Sequence, residues 1–256
     1  MRNNLSIDLN ADLGEYTGLD GAARDALVMD VVTSANIACG VHAGDLDVMK
    51  RSVDLAARRG VAIGAHPSFP DREGFGRREM NVLPAELEDV IVSQIEALSA
   101  CCVAAGVGLR YVKPHGALYN RAVWDTRVAE AIIDAMRKVK PGLSLLGLPS
   151  SEMSKAAERA GIQFAGEAFV DRAYRKDGTL VPRSEANAVI HDVQSAVQRA
   201  VMLVRMRSIS AQDGSEIKIN AQSLCVHGDN PDSEAMLRSL RSRLESAGVT
   251  IAPFAA

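Results

Sequence analysis

The chain has 256 residues, 47% apolar and 24% charged, ordinary values for a globular protein that buries a substantial core. Its 29 basic and 32 acidic residues are interspersed, leave a net charge of −3 and form no basic track for nucleic acid. No apolar run approaches the roughly 20 residues that span a bilayer. Met1 to Leu5 carry no leader-like apolar stretch, and the four cysteines have neither disulfide-framework nor metal-ribbon spacing, so a cytoplasmic protein is expected.

Short β-rich runs alternate with helical patterns along the whole chain. Leu5–Leu9 reads as a strand, followed by a polar turn and a helix near Ala23–Val32. Ala35–Cys39 is a second strand, ahead of a helix over Leu46–Arg59 that stops at Gly60. Val61–Ala65 is the third strand, and 66–83 is a long loop rich in glycine, proline and charge, the kind that is often functional. A helix near Ala85–Ala105 keeps apolar spacing except at Gln94. Leu109–Val112 is strand four, Trp124–Val139 a helix, and Leu143–Leu146 strand five. Ser151–Ala160 is a helix ended by Gly161, and Phe164–Val170 contains strand six. After a charged loop come a helix near Asn187–Arg207, extended runs at Ile217–Ile219 and Ser223–Val226, and a closing helix over Glu234–Ser246. The rhythm predicts an α/β fold in one domain spanning 1–256, either a barrel or a doubly wound sheet.

His42, His66, His115 and His227 each follow a predicted strand within a few residues, and Asp8, Asn10 and Asp12 cluster at and beyond the end of the first. Parallel β/α folds gather such strand-end loops at one mouth. A buried strand that carries an acid needs a partner or a task for it. His42 lies between Gly40 and Gly44, where small neighbours permit close approach, and Asp45 reads as the cap of the helix that follows. His66 precedes Pro67, which disfavours helix there, and the loop beyond it, with Asp71, Arg72 and Arg77, suits either a solvated surface or a substrate lid. In Lys113-Pro114-His115 the extended geometry directs an amine and an imidazole to one face. Asp12, His42, His66, Lys113 and His115 are therefore the expected catalytic set. Cys39 near His42 and Cys225 near His227 admit a nucleophile, but small buried thiols are the plainer reading. There is no Gly-x-Ser-x-Gly elbow, no phosphate-binding glycine loop and no His-Glu-x-x-His helix.

Six stretches in register resemble the lactam-utilisation family: Asp8 through Glu15, Asn36 through Asp45, His66-Pro67 with Asp71 through Arg78, Lys113 through Asn120, Asp171 through Tyr174 with Leu180 through Arg183, and Cys225 through Asp229. Ala11 stands where relatives commonly carry cysteine, which rules out an obligatory nucleophile there. The resemblance implies an irregular seven-stranded β/α barrel, similar to the glycoside hydrolase and deacetylase barrels. It also implies ATP-dependent opening of the 5-oxoproline (pyroglutamate) lactam to glutamate, with ATP handled by partner B and C subunits, in keeping with the missing phosphate loop. Asp8, Asn10, Asn36, Asp71, Arg72, Arg77, Glu167, Asp171, Arg172, His227 and Asp229 are then expected around the substrate. If a divalent metal is bound, Asp12, His42 and His66 are its expected ligands. In this scheme His42 or His66 with Asp12 is the base, Lys113 stabilises negative charge, and His115 protonates the departing nitrogen. The alternatives are a metal-dependent deacetylase or amidohydrolase, and a non-catalytic binding subunit of the same complex.

Overall fold

The computed structural model describes residues 5–226 and 233–255. In chain order the elements are β1 (Ser6–Leu13), α1 (Gly18–Met29), β2 (Ser34–Ala38), α2 (Leu46–Arg59), β3 (Ala62–His66), α3 (Pro84–Ala104), β4 (Leu109–Val112), α4 (Gly116–Ala122), α5 (Thr126–Val139), β5 (Ser144–Gly147), α6 (Glu152–Ala160), β6 (Phe164–Phe169), α7 (Val193–Met206), β7 (Ser208–Ser210), β8 (Glu216–Lys218), β9 (Ser223–Cys225), α8 (Ser233–Ser246) and β10 (Thr250–Ile251).

Among these, β1 to β6 and β9 run parallel in that order, and β9 pairs back onto β1. The result is a closed seven-stranded β/α barrel. β10 adds to the start of β1 outside the ring, and β7 and β8 form a small antiparallel ribbon. Successive side chains of a strand point to opposite faces. On β1, Ile7, Leu9, Ala11 and Leu13 join the apolar layer that helices cover, with Val53, Ile91, Ile95, Leu98 and Ile132. Asp8, Asn10 and Asp12 take the other face, into the barrel, and are equally buried.

Most of the predicted elements are present. α2 begins with the Asp45 side chain accepting from Val48 N at 2.8 Å and ends at Gly60, as predicted. Gln94 breaks the apolar pattern of α3 because its amide clamps the β3–α3 loop, accepting from Ser68 N at 3.0 Å and donating to Ser68 O at 2.9 Å. Other expectations are corrected. β1 continues to Leu13, so Asp12 is inside the strand and not beyond it. α4 was not foreseen, and α7 begins at Val193, leaving His191 exposed ahead of it and not within a helix. Inside the barrel, a Cβ on Gly64 would lie 2.1 Å from the Tyr111 ring, so only glycine lets that ring cross β3. The opposite end from the strand C-termini is plugged by Tyr111, Leu146, Ala165 and Ala255, with Phe254 4.9 Å from the Tyr111 ring.

Candidate active site

Register places polar residues of neighbouring strands at matching levels, Asn10 beside Ser34 and Asp12 beside Asn36 on β1 and β2. The barrel interior is consequently a hydrogen-bonded network. Asp8 accepts from Thr33 Oγ1 and Ser34 Oγ, each at 2.6 Å, and from Ser223 Oγ. Burial pushes its carboxyl up to about 6, although those three hydroxyls pull it back. Asn36 Nδ2 donates to Asn10 Oδ1 at 2.7 Å and Asp12 Oδ1 at 2.8 Å, and Tyr111 donates to Asn36 Oδ1 at 2.7 Å.

Lys113, at the end of β4, reaches into this network. Its Nζ lies 3.0 Å from Asp12 Oδ1, 2.8 Å from Glu167 Oε1, 3.2 Å from Asn10 Oδ1 and 3.2 Å from Cys225 Sγ. Burial alone would depress the ammonium, but the Asp12 carboxylate, the Cys225 sulfur and Glu167 push it well above the ordinary lysine value. It is therefore charged at neutral pH, held by two carboxylates. The Lys113–Glu167 contact is an ion pair by distance.

Above the lysine, the histidines interlock through the loops. His66, the last residue of β3, donates from Nδ1 to the Lys113 carbonyl at 2.7 Å, since a carbonyl only accepts. His115, which precedes α4, likewise donates from Nε2 to the Phe75 carbonyl at 2.9 Å. The remaining nitrogens, His66 Nε2 and His115 Nδ1, face one another at 2.9 Å. Phe75 takes a left-handed φ of 56°, sparsely populated for a bulky residue, and so aims its carbonyl at His115. Gly76 follows with φ +67°, and a Cβ there would lie 2.9 Å from the His115 ring and 3.0 Å from His42. Asp71 holds this bend by accepting from Gly74 N at 2.9 Å, Arg78 N at 3.1 Å and Arg78 Nε at 2.8 Å. Arg72 ties it to the β2–α2 loop through Gly40 O at 3.0 Å and Gly44 O at 2.8 Å.

A cavity of about 500 Å³ opens at the strand C-termini. Asp12, His66, Lys113 and His115 of the expected catalytic set line it, with Arg77 and Arg172 of the expected binding set. His42 does not. It is buried behind His115, ring stacked on ring at 4.0 Å and 4°, with Nε2 3.7 Å from Glu15 Oε1. Burial, then His115 and His66, push its pKa far below the histidine range, so it stays neutral. Asp8, Asn10, Asn36 and Glu167 lie inside the barrel, off the cavity wall, and Asp71 and Arg72 hold loops. Asp171 is buried beside Arg172, off the wall; burial draws Arg172 down to about 10. His227 and Asp229 fall outside the described residues.

Sequence reasoning passed over Glu15, Tyr119 and Arg183. Tyr119 and Arg183 line the cavity. Glu15 Oε1 stands 3.8 Å from His115 Nδ1. One donor atom each from Asp12, Glu15, His66 and His115 lies within 4.8 Å of the others, a set that could hold a metal ion. The expected ligand His42 is not in it, because its ring lies flat behind His115. A cysteine nucleophile is also set aside: burial raises Cys39 to about 12 and Cys225 well above the thiol range, despite Lys113.

Barrel closure and a strand-end cluster of acids, imidazoles and one buried ammonium define a β/α-barrel protein with a candidate active site at its strand C-termini. Residues 7–256 match the LamB/YcsF family, and the chain belongs to it. It is 51% identical over 249 residues to the A subunit of 5-oxoprolinase from Streptomyces avermitilis, covering 97% of this chain and 100% of that one. Against the corresponding A subunit from Bacillus subtilis the identity is 46%, over 96% of this chain and 95% of the relative. A lactam utilization protein from Thermus thermophilus superposes with a TM-score of 0.90 at 42% identity, covering 97% of this chain and all (100%) of that one. A family 4 carbohydrate esterase from Streptomyces lividans shares the fold alone, at 13% identity and a TM-score of 0.50 over 97% of this chain and 92% of its own. No helix among the described residues is long and apolar enough to cross a membrane.

Proposed function

We propose that this chain is the lactam-opening subunit of an ATP-dependent 5-oxoprolinase, working in the cytoplasm with B and C subunits that use ATP to activate the ring. The carrying observation is the cavity wall itself: Lys113, Arg77, Arg172 and Arg183 converge on one space with Asp12, His66 and His115. Such a wall suits a small substrate bearing a carboxylate and a phosphoryl group, beside groups that accept a proton. The names of the relatives from Streptomyces avermitilis and Bacillus subtilis support the same reading.

A five-membered lactam is protected by amide resonance. Phosphorylation of its carbonyl oxygen removes that resonance and makes the carbon electrophilic. Water then adds to the carbon and loses its proton to the Asp12–His66 pair, whose atoms lie 3.4 Å apart. Lys113 stabilises the negative charge that develops. The carbon–nitrogen bond breaks, leaving an acyl phosphate, and a second water releases phosphate and glutamate. The departing nitrogen takes the proton that Asp12–His66 removed from water. His115 does not supply that proton, because its one N–H is spent on Phe75 and burial, which lowers its pKa to about 3, leaves the ring without a second proton at neutral pH.

The test is glutamate formation from 5-oxoproline and ATP by the purified chain, with partner subunits added singly and together. Turnover is expected only in the full assembly. Turnover by this chain alone, or ATP-independent deacetylation of an N-acetylated glycan, would overturn the proposal.

A further inference from the structure

The geometry points to a divalent first-row transition-metal site formed by His66 Nε2, His115 Nδ1, Asp12 and Glu15. The inference is independent of which substrate the cavity takes. His66 and His115 have each committed their ring N–H to a backbone carbonyl, at 2.7 Å and 2.9 Å. Both facing nitrogens are then lone-pair acceptors, only 2.9 Å apart. Two lone pairs at that separation repel, so something positive belongs against them. A proton would engage only the two rings, whereas four donor atoms converge within 4.8 Å.

The spacing suits an ion. Metal–nitrogen bonds of about 2.0–2.1 Å at angles between square and tetrahedral hold two nitrogens roughly 2.8–3.4 Å apart. The observed nitrogen pair is just inside that range, and the Asp12 Oδ1–His66 Nε2 separation of 3.4 Å sits at its upper edge. Glu15 Oε1, 3.8 Å from His115 Nδ1, needs only a small approach to join. The carbonyl locks are the usual outer partners of metal-bound imidazoles: they fix the tautomer and turn the free nitrogen inward. Two imidazoles with two carboxylates suit zinc, manganese, iron or cobalt better than magnesium or calcium, which prefer all-oxygen sites. Two carboxylates would also balance the ion's charge. When bound, the ion would supply a Lewis acid and a water of lowered pKa at the cavity wall, and Asp12 and His66 would then act as its ligands in place of the base role given them above. His42 is a backing residue in this arrangement, not a ligand, because its ring stacks face to face on His115.

The experiment strips the full-length chain with a chelator and titrates it with Zn²⁺ by calorimetry and with Co²⁺ by visible absorption. One ion per chain is expected, with d–d bands for Co²⁺ and a raised melting temperature. His115→Ala and Glu15→Gln should each weaken binding, the first by at least ~100-fold, since even outer-shell partners are worth 10–100-fold. His42→Phe, which keeps the stacked ring and removes its nitrogens, should stay within a few-fold of wild type. Failure to bind either ion stoichiometrically would overturn the site. So would binding that survives both His115→Ala and Glu15→Gln. Loss of binding in His42→Phe alone would overturn the ligand assignment. If His115→Ala does not fold, Glu15→Gln and His42→Phe still decide between the assignments.

Discussion

Ile7, Leu9, Ala11 and Leu13 on one face of β1 and Asp8, Asn10 and Asp12 on the other are all buried, yet they do different work. The outward set meets helices, and its attraction is non-directional, so it stabilises the barrel without fixing any single contact. The inward set meets Asn36, Lys113, Ser34 and Ser223 through named hydrogen bonds, each with one geometry. Burial on the inside is therefore conditional on completeness, because a half-satisfied polar network costs more than an apolar one. The comparison predicts that inner substitutions damage stability and chemistry together, while changes in the outer shell touch stability alone.

Lys113→Met is the severest way to break it. The substitution strands Asp12 and Glu167 as two buried carboxylates without their cation. Breaking one partner from a buried ion pair costs about 3–5 kcal/mol, and losing a charge that stabilises the transition state lowers kcat ~10²–10³-fold. Adding Glu167→Gln should restore much of the stability and none of the rate. Urea denaturation and glutamate production by the reconstituted assembly measure the two. A single variant that keeps full stability would mean the interior is less coupled than its contacts imply.

Asp25 sharpens the comparison from the outside. It is a buried acid in the helical layer, accepting from Gly14 N at 3.1 Å and Ser52 Oγ at 3.4 Å. Burial raises its pKa to about 6, with Gly14, Arg51, Ser52 and Arg24 pulling the other way. An acid raised on folding contributes stability that is fully present below about pH 4 and is lost as pH rises through about 6. Asp25→Asn, which mimics the neutral form, should match wild type near pH 4. At pH 8 it should exceed wild type by at most about 3 kcal/mol, two pKa units at 1.36 kcal/mol each being the scale. Denaturation midpoints at the two pH values test this, and kcat should be unaffected. A constant difference across that range would show that Asp25 does not titrate on folding.

The same contrast explains what the sequence disclosed. Outward apolar residues marked most strands and helices, and the strand-end histidines pointed to the mouth. β1 was cut short at Leu9 because Asn10 and Asp12 look like a turn when strands are expected to be apolar; only closure of the barrel gives them partners. β7 and β10, of 3 and 2 residues, are too short for any periodicity. The resemblance points to Asp12, His42 and His66 as metal ligands and passes over Glu15 and His115, because the left-handed bend at Phe75 that turns His115 towards His66 has no signal of its own in the sequence. The resemblance implies Asp8, Asn10 and Asn36 as substrate contacts, but strand register sends them below the cavity.

Asp45 gives the smallest effect and the cleanest control, because it sits inside the stretch that resembles the family, three residues after His42. Proximity in sequence would make it part of the chemistry. Its geometry makes it a cap: extended at φ −157° and ψ −176°, exposed, with its carboxylate accepting from Val48 N at 2.8 Å. Asp45→Ala leaves that N–H unsatisfied and removes a negative charge from the positive end of α2, a loss of about 1 kcal/mol. For a chain of this size that lowers the melting temperature by about 2–4 °C. Metal affinity and kcat should stay within twofold of wild type, because no inner residue changes partner. A tenfold loss of kcat beside so small a thermal shift would mean that the β2–α2 loop carries strain from the cap to His42 and His115, and that the outer shell is not mechanically separate from the site.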